Sequence, residues 1–139
     1  MMRKLILSLI FFVLCSVSVA GAEAEKKPLE IPIGKLGDFQ EDVVKPLPLD
    51  KIIVFKDKDG IYCISSECTH RGCVVTFKRK DKIFACPCHG ANFSEDGAVT
   101  RGPAKKNLNW YAIRLVDGDK LIVDKSQVVA AGTKFKFDN

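Results

Sequence analysis

Two short segments near the middle of the chain hold both histidines and four of the six cysteines. The first reads CTHRGC and the second reads CPCHG. Each segment supplies one cysteine and one histidine at close spacing, as Cys68-x-His70 and as Cys86-x-x-His89. Spacings of one and two residues let both side chains of a tight loop converge on one point. Two such loops brought together therefore predict a Cys₂His₂ metal centre.

A Cys₂His₂ set has two chemically sensible occupants. Zinc would bind all four ligands around one tetrahedral ion. A [2Fe–2S] cluster would take the two cysteines on one iron and the two histidines on the other. Zinc fingers usually present pairs of like ligands, whereas each segment here gives one of each type, which two irons explain because each loop then reaches both metals. Haem attachment through CxxCH is excluded, because CPCH has a single residue between its cysteines.

The other cysteines have different expected roles. Cys73 and Cys88 are left over, one in each segment, and a disulfide between them would clamp the two loops together. A zinc site with two spare thiols, or two unrelated disulfides with the histidines at the surface, are the alternatives that the spacing leaves open. Cys63 lies in the apolar run IYCIS, so we expect it to be a small buried side chain on a strand.

The elements that must position these residues read as short strands. Three pairs of apolar runs flank turn-forming segments: IIVFK and IYCIS around DKDG, VVTFK and IFAC around RKDK, and WYAIRLV and LIVDK around DGDK. No stretch beyond the N-terminus has a helical period. The pattern predicts an all-β, antiparallel sandwich or small barrel in a single domain. The polar segment 91–109 is expected to be a long functional loop.

The N-terminus has the pattern of an export signal. Positive charge in MMRK precedes the apolar residues 5–22, which end in the small residues Ala20-Gly21-Ala22. The apolar run also just reaches the length of a membrane span, roughly 18 residues. We therefore expect a signal peptide or N-terminal membrane anchor at 1–22, a polar linker at 23–30 and the folded domain at 31–139. The domain would be extracytoplasmic, periplasmic or secreted, where disulfides persist.

The two segments resemble the two cluster-binding boxes of the Rieske iron–sulfur proteins. CTHRGC and CPCHGANF carry the resemblance, which extends to IPIGKLGDF, DGIYCISSECTH and GPA. It implies one [2Fe–2S] cluster per chain, with Cys68 and Cys86 on the inner iron and His70 and His89 on the outer iron. It further implies a Cys73–Cys88 disulfide, as in the disulfide-bearing branch of the family, and a covering loop at RGPAKK. The implied fold is a β-sandwich with a small cluster-binding subdomain at its tip.

Four residues depart from the family pattern, one of which is Lys105, at a position where many relatives have a second proline in the covering loop. Ala91 and Phe93 stand where high-potential members commonly have serine and tyrosine, whose hydroxyls bond to cluster and ligand sulfurs. Without those bonds the reduced cluster is less stabilised, so we expect a lowered reduction potential. Arg71 stands where quinol-oxidising members usually have leucine at an apolar docking tip, and a charge there would be costly.

The resulting functional hypothesis is an extracytoplasmic one-electron carrier that passes electrons to a redox partner protein. The alternative is the small Rieske subunit of a larger oxidoreductase, either arsenite-oxidase-like or a cytochrome bc-type quinol oxidase. No acid–base pair or nucleophile is legible, so no catalytic residue is predicted and the isolated chain is not expected to be an enzyme. The net charge of +5 has no basic helix with interleaved aromatics. We therefore expect no nucleic-acid partner; a basic face could steer an acidic protein.

Overall fold

A computed structural model describes residues 29–137 of the chain. The predicted leader at 1–22 and all but the last two residues of the predicted linker lie outside the described residues. Within this range, ten strands and one short 3-10 helix form in this order: β1 Glu30–Lys35, the helix Leu36–Asp38, β2 Val44–Leu47, β3 Ile52–Asp57, β4 Gly60–Ser65, β5 Thr76–Lys78, β6 Ile83–Ala85, β7 Asn92–Ser94, β8 Val99–Arg101, β9 Trp110–Val116 and β10 Lys120–Val129. Over the described range, no helix has the length and apolar character needed to cross a membrane.

The strands form two antiparallel sheets. The larger has six strands in the order β1-β10-β9-β4-β3-β2, and the smaller has four in the order β5-β6-β7-β8. The three predicted hairpins are confirmed as the antiparallel pairs β3–β4, β5–β6 and β9–β10. The all-β fold with a small site-bearing subdomain is confirmed as well, since the smaller sheet carries both Cys–His segments.

The hydrophobic core shows why β3 is apolar at successive positions. Ile53 and Phe55 face the core that joins the two sheets, while Ile52 and Val54 face a second core on the other side of the larger sheet. All four are buried, because alternate side chains of a strand point to opposite faces and both faces here are covered. Cys63 is also fully buried on β4, as the sequence predicts.

An aromatic stack links the larger sheet to the smaller one. The rings of Phe55 and Tyr62 are stacked with centroids 5.0 Å apart, and Tyr62 stacks on Trp110 at the same distance. Phe77 of the smaller sheet meets Phe55 edge-on at 5.0 Å. Stacked and edge-on pairs each add about 0.5–1.5 kcal/mol beyond area burial. The stack thus holds the smaller sheet, and with it the Cys–His loops, against the larger one.

The segment 91–109 differs from the expected long loop. It contains two paired strands, β7 and β8, joined by a turn, and residues 102–109 after them are irregular. Phe93 on β7 pairs with Phe84 on β6 and is fully buried. The prediction was wrong because the polar and glycine-rich composition hid strands of only three residues each. Their stability comes from sheet pairing and from burial of one aromatic ring.

Candidate metal centre

The two Cys–His segments are loops at the same end of the smaller sheet. The first loop leads into β5, and the second connects β6 to β7. Because β5 and β6 are antiparallel, the first residue of β5 lies opposite the last residue of β6, as the pair Thr76 and Ala85. The sheet register therefore brings together two segments that are well separated in the sequence.

Both loops close with the same backbone hydrogen bonds. In the first, the N–H of Cys68 donates to the carbonyl of Cys73 at 2.7 Å, and the N–H of Gly72 donates to the carbonyl of Cys68 at 2.8 Å. The second loop repeats the two bonds from Cys86, at 2.8 and 3.1 Å. Gly72 and Gly90 have φ values of +75° and +73°, which side chains other than glycine rarely adopt.

A disulfide joins Cys73 of the first loop to Cys88 of the second, with Cα atoms 6.6 Å apart. This is the pairing that the family resemblance implies. The sulfur of Cys86 lies beside the bond, since the sulfurs of Cys73, Cys86 and Cys88 are all within 4.8 Å of one another. Metals bind thiolates, and the two sulfurs of an intact disulfide are not thiolates. We therefore assign Cys73 and Cys88 to the clamp and not to a ligand set.

The two remaining loop cysteines point into the protein. Cys68 is 2% exposed and Cys86 is 3% exposed, and both are free thiols. Burial raises the pKa of the Cys68 thiol, the nearby Cys86 raises it further, and the backbone N–H groups of His70 and Arg71 partly oppose this by bonding to the Cys68 sulfur. These N–H groups would stabilise negative charge on that sulfur.

The two imidazoles lie side by side at the outer edge of the same site. The rings of His70 and His89 are perpendicular, with centroids 4.8 Å apart. Burial lowers the pKa of His70, and the nearby charges of His89 and Arg71 lower it further, which favours the neutral, ligating form. The Nδ1 atom of His70 is buried and has no hydrogen-bond partner within residues 29–137. A buried polar atom without a partner is costly unless something else binds it.

These donors fit an iron–sulfur cluster. Two buried sulfurs lie on the inner side, two imidazoles lie on the outer side, and one imidazole nitrogen lacks a partner. A mixed set of thiolates and imidazoles is the donor set of a Rieske-type centre. The fold thus places the imidazoles of the predicted ligands His70 and His89 side by side, and the thiols of the predicted ligands Cys68 and Cys86 next to each other in the interior.

The segment RGPAKK lies against the first loop. The Thr69 hydroxyl donates to the carbonyl of Lys106 at 2.5 Å. Ala104 is buried in the core beneath the loops, and the N–H of Leu108 donates to the carbonyl of Gly97 at 2.8 Å. The side-chain carbonyl of Asn107 accepts a hydrogen bond from the N–H of Val99 on β8. The covering loop is therefore tied down on both sides of Lys105 and Lys106.

Two features of the site were missed at the sequence level. The bond from Thr69 to the covering loop has no sequence signal, because it joins residues 37 positions apart. The matching backbone of the two loops does have one: each carries a cysteine followed four positions later by a glycine, as Cys68 and Gly72 and as Cys86 and Gly90.

A surface groove of about 650 Å³ lies elsewhere, among the aromatic stack and charged residues such as Arg79 and Lys134. The residues that line it do not include any from the two Cys–His loops. Electron transfer needs an exposed edge of a redox group more than it needs a pocket, so we do not assign the groove to the site.

Comparison with known proteins gives a consistent answer. The family model for the Rieske [2Fe-2S] domain matches residues 30–112. The cytochrome b6-f complex iron-sulfur subunit of Chlorobaculum thiosulfatiphilum is 35% identical over 100 residues, covering 72% of this chain and 51% of that protein. Its counterpart in Chlorobaculum tepidum is 38% identical over 96 residues, covering 68% of this chain and 52% of that protein. The chain thus spans about half the length of the curated relatives it matches.

A solved structure supports the same assignment. The plasma membrane Rieske protein PetC3 from Synechocystis PCC 6803 has a TM-score of 0.50 and 30% sequence identity to this chain. The match covers 66% of this chain and 97% of that one. Together with the family match over more than half of the chain, this shows that the chain belongs to the Rieske [2Fe–2S] domain family.

Proposed function

We propose that Cys68, His70, Cys86 and His89 are the four ligands of one [2Fe–2S] cluster. The observation that carries this proposal is the convergence of two buried sulfurs and two adjacent imidazoles from loops of matching backbone. When bound, the cluster supplies one reversible electron. The two thiolates would bind one iron and the two imidazoles the other.

The chain's own residues hold this ligand set in place. The Cys73–Cys88 disulfide fixes the two loops relative to each other, and the bond from Thr69 fixes the covering loop. The buried sulfurs keep water from the inner side, while the exposed His89 leaves the outer side open. Electrons would therefore enter and leave through the histidine edge.

We further propose that the protein works outside the cytoplasm as a carrier for a redox partner protein. The signal-like pattern of residues 1–22 and the disulfide support this location, since disulfides persist in oxidising compartments. The curated relatives are subunits of a cytochrome complex, so a small-subunit role in a larger oxidoreductase is the second candidate. Arg71 favours the carrier: it is exposed beside His70, where an apolar interface would leave its charge without water.

The ligand assignment is tested with two matched cysteine substitutions. Cys68→Ala removes a proposed ligand, whereas Cys63→Ala removes an equally buried thiol five positions earlier that belongs to the other core. Both proteins are purified and assayed for iron, labile sulfide and zinc, with far-UV circular dichroism as the check on folding. We expect iron and sulfide in the parent and in Cys63→Ala, and loss of both in Cys68→Ala.

Three results would contradict the ligand assignment. Iron retained in Cys68→Ala would remove that residue from the set. Zinc in place of iron in the parent protein would indicate that the site is a structural zinc site. Loss of iron in both variants would mean that damage to either core releases the metal. Iron loss in Cys68→Ala would then not identify a ligand, and the assignment would fail this test.

The carrier and subunit roles are separated by native purification. The chain is isolated from its source at low detergent and high salt, and co-purifying haem and molybdenum are measured. A carrier is expected to come free of both. Stoichiometric haem would indicate a cytochrome bc-type complex, and stoichiometric molybdenum would indicate an arsenite-oxidase-like enzyme; either result would overturn the carrier role.

A further inference from the structure

The histidine edge is surrounded by positive charge. Arg71 follows His70 in the first loop, and Arg101 ends β8 beside the second loop, opposite Asn92. Lys105 and Lys106 lie in the covering loop, where the carbonyl of Lys106 is bonded to Thr69. All four cationic side chains are exposed, and none of them makes an ion pair within residues 29–137.

Negative charge is missing from the same surface. The three segments that form it, residues 68–73, 86–91 and 101–108, contain no aspartate or glutamate. The nearest acid along the first loop, Glu67, is paired with Lys51 at 2.7 Å. Asp96 shares a surface groove with the covering-loop lysines and is the one acid beside them there, but it forms no ion pair with either lysine within residues 29–137; its carboxylate accepts bonds from the Ser94 hydroxyl and the N–H of Ala98 instead. The four cations at the tip therefore outnumber the acids beside them, and none of the four is neutralised by an ion pair within residues 29–137.

The cations are also held close to the site. The loop that carries Lys105 and Lys106 is anchored by buried Ala104 on one side and by Asn107 and Leu108 on the other. Arg71 is held by the closed backbone of the first loop. A set of like charges carried on an anchored backbone around an exposed redox edge creates a positive potential that attracts and orients an oppositely charged partner.

We propose that the surface formed by Arg71, Arg101, Lys105 and Lys106 is the docking site for a redox protein whose own electron-transfer edge is acidic. This proposal rests on the proposed function, because the surface surrounds the proposed cluster. It adds the chemical class of the partner. It also predicts that association weakens steeply with salt, since exposed charges are screened within about 10 Å at 0.1 M ionic strength.

The first test uses small oxidants of opposite charge as probes. The reduced protein is mixed in a stopped-flow instrument with ferricyanide, a trianion, or with tris(phenanthroline)cobalt(III), a trication. The variant Arg71→Gln/Lys105→Gln/Lys106→Gln is compared with the parent at an ionic strength of about 0.01 M, where charges act over about 30 Å. Iron content and the spectrum of the reduced protein are measured first in both.

The matched control removes the same amount of charge elsewhere. Lys78, Lys80 and Lys82 lie around the turn of the β5–β6 hairpin, at the end of the smaller sheet away from the Cys–His loops. All three are exposed. The variant Lys78→Gln/Lys80→Gln/Lys82→Gln therefore has the same net charge as the tip variant, but an intact tip.

We expect the tip variant to react on the order of tenfold more slowly with ferricyanide and faster with the cobalt complex, with both effects disappearing near 1 M salt. The control variant should change each rate by less than about twofold, since its charges lie farther from the site. Equal changes in the two variants, or no change in either, would overturn the docking surface. Absence of iron in the parent would instead overturn the proposed function, and the docking surface with it.

A second readout does not depend on electron transfer. The protein is treated with a carbodiimide in the presence of an acidic monohaem cytochrome c, and then separately with a basic one. Lysine–carboxylate cross-links are located by mass spectrometry. Cross-links to the acidic cytochrome concentrated at Lys105 and Lys106 support the proposal. Cross-links concentrated at Lys78, Lys80 and Lys82, or similar yields with both cytochromes, would contradict it.

Discussion

The Cys73–Cys88 disulfide should stabilise the protein without taking part in binding the cluster. Replacing both cysteines, as Cys73→Ser/Cys88→Ser, removes the link while leaving Cys68, His70, Cys86 and His89 in place. The two cysteines are 15 positions apart. Closing a loop of that length in the unfolded chain corresponds to about 3 kcal/mol of stability. With a guanidinium slope of roughly 2–6 kcal/mol per M, the unfolding midpoint should fall by about 1 M.

The assay follows two signals during guanidinium unfolding. Trp110 is the single tryptophan of the chain and is 4% exposed, so its fluorescence reports the core between the sheets. Visible absorption reports the cluster. The parent is measured with and without a phosphine reductant, which should lower its midpoint to that of the double variant, whereas the double variant should not respond to the reductant.

Two outcomes would refute this reasoning. A midpoint change below about 0.2 M would mean that the disulfide does not restrain the unfolded chain as its loop length requires. Purification of the double variant without iron, although it is folded by circular dichroism and although the parent keeps its iron after the disulfide is reduced, would mean that a thiol of Cys73 or Cys88 is needed for cluster binding. The sulfur of Cys86 lies beside both of them, so this outcome would also reopen the ligand assignment.

Three further predictions each follow from the surroundings of one or two residues. Adding hydroxyls with Ala91→Ser/Phe93→Tyr should raise the reduction potential by on the order of 100 mV by voltammetry, if each new bond to sulfur is worth about tenfold, or about 59 mV; an unchanged or lower value contradicts it. Burial raises the pKa of the Cys63 thiol to about 12, so iodoacetamide at pH 8 should label it only after unfolding, and rapid native labelling would contradict this. Burial alone would raise the pKa of Asp57, but the hydrogen bond from Lys134 and those from neighbouring backbone N–H groups outweigh it and hold the pKa below its ordinary value. Its contribution to stability is then present above about pH 4 and lost as the pH falls, so Lys134→Met should lose less stability in acid than the parent; an equal loss in acid denaturation would contradict the assignment.

The fold was predictable where strands are long and turns carry clear chemistry. The runs on either side of DKDG and DGDK became β3–β4 and β9–β10, because a glycine after aspartate fits the tight turn and the apolar residues have a core to enter. The short strands β7 and β8 were not predictable, since three residues carry little periodicity. They exist because β6 supplies a pairing edge and Phe93 supplies a buried ring.

Sequence spacing predicts the candidate ligands, but not the contacts that hold their loops in place. Spacing and residue type predict Cys68, His70, Cys86 and His89 as ligands, which stays a prediction; the structure places His70 beside His89 and buries Cys68 and Cys86. The bond from Thr69 to the covering loop depends on tertiary contacts between distant segments, which no local pattern encodes. The same reason explains why the positive surface around the histidine edge emerges only when three loops are placed side by side.

The most direct test of the central claim is electron paramagnetic resonance of the purified protein after reduction with dithionite. A [2Fe–2S] cluster with two histidine ligands on one iron should give an averaged g value below that of clusters held by cysteine alone, together with couplings from two nitrogens in pulsed spectra. A spectrum typical of four cysteine ligands, or no signal from a protein that contains zinc in place of iron, would contradict the account.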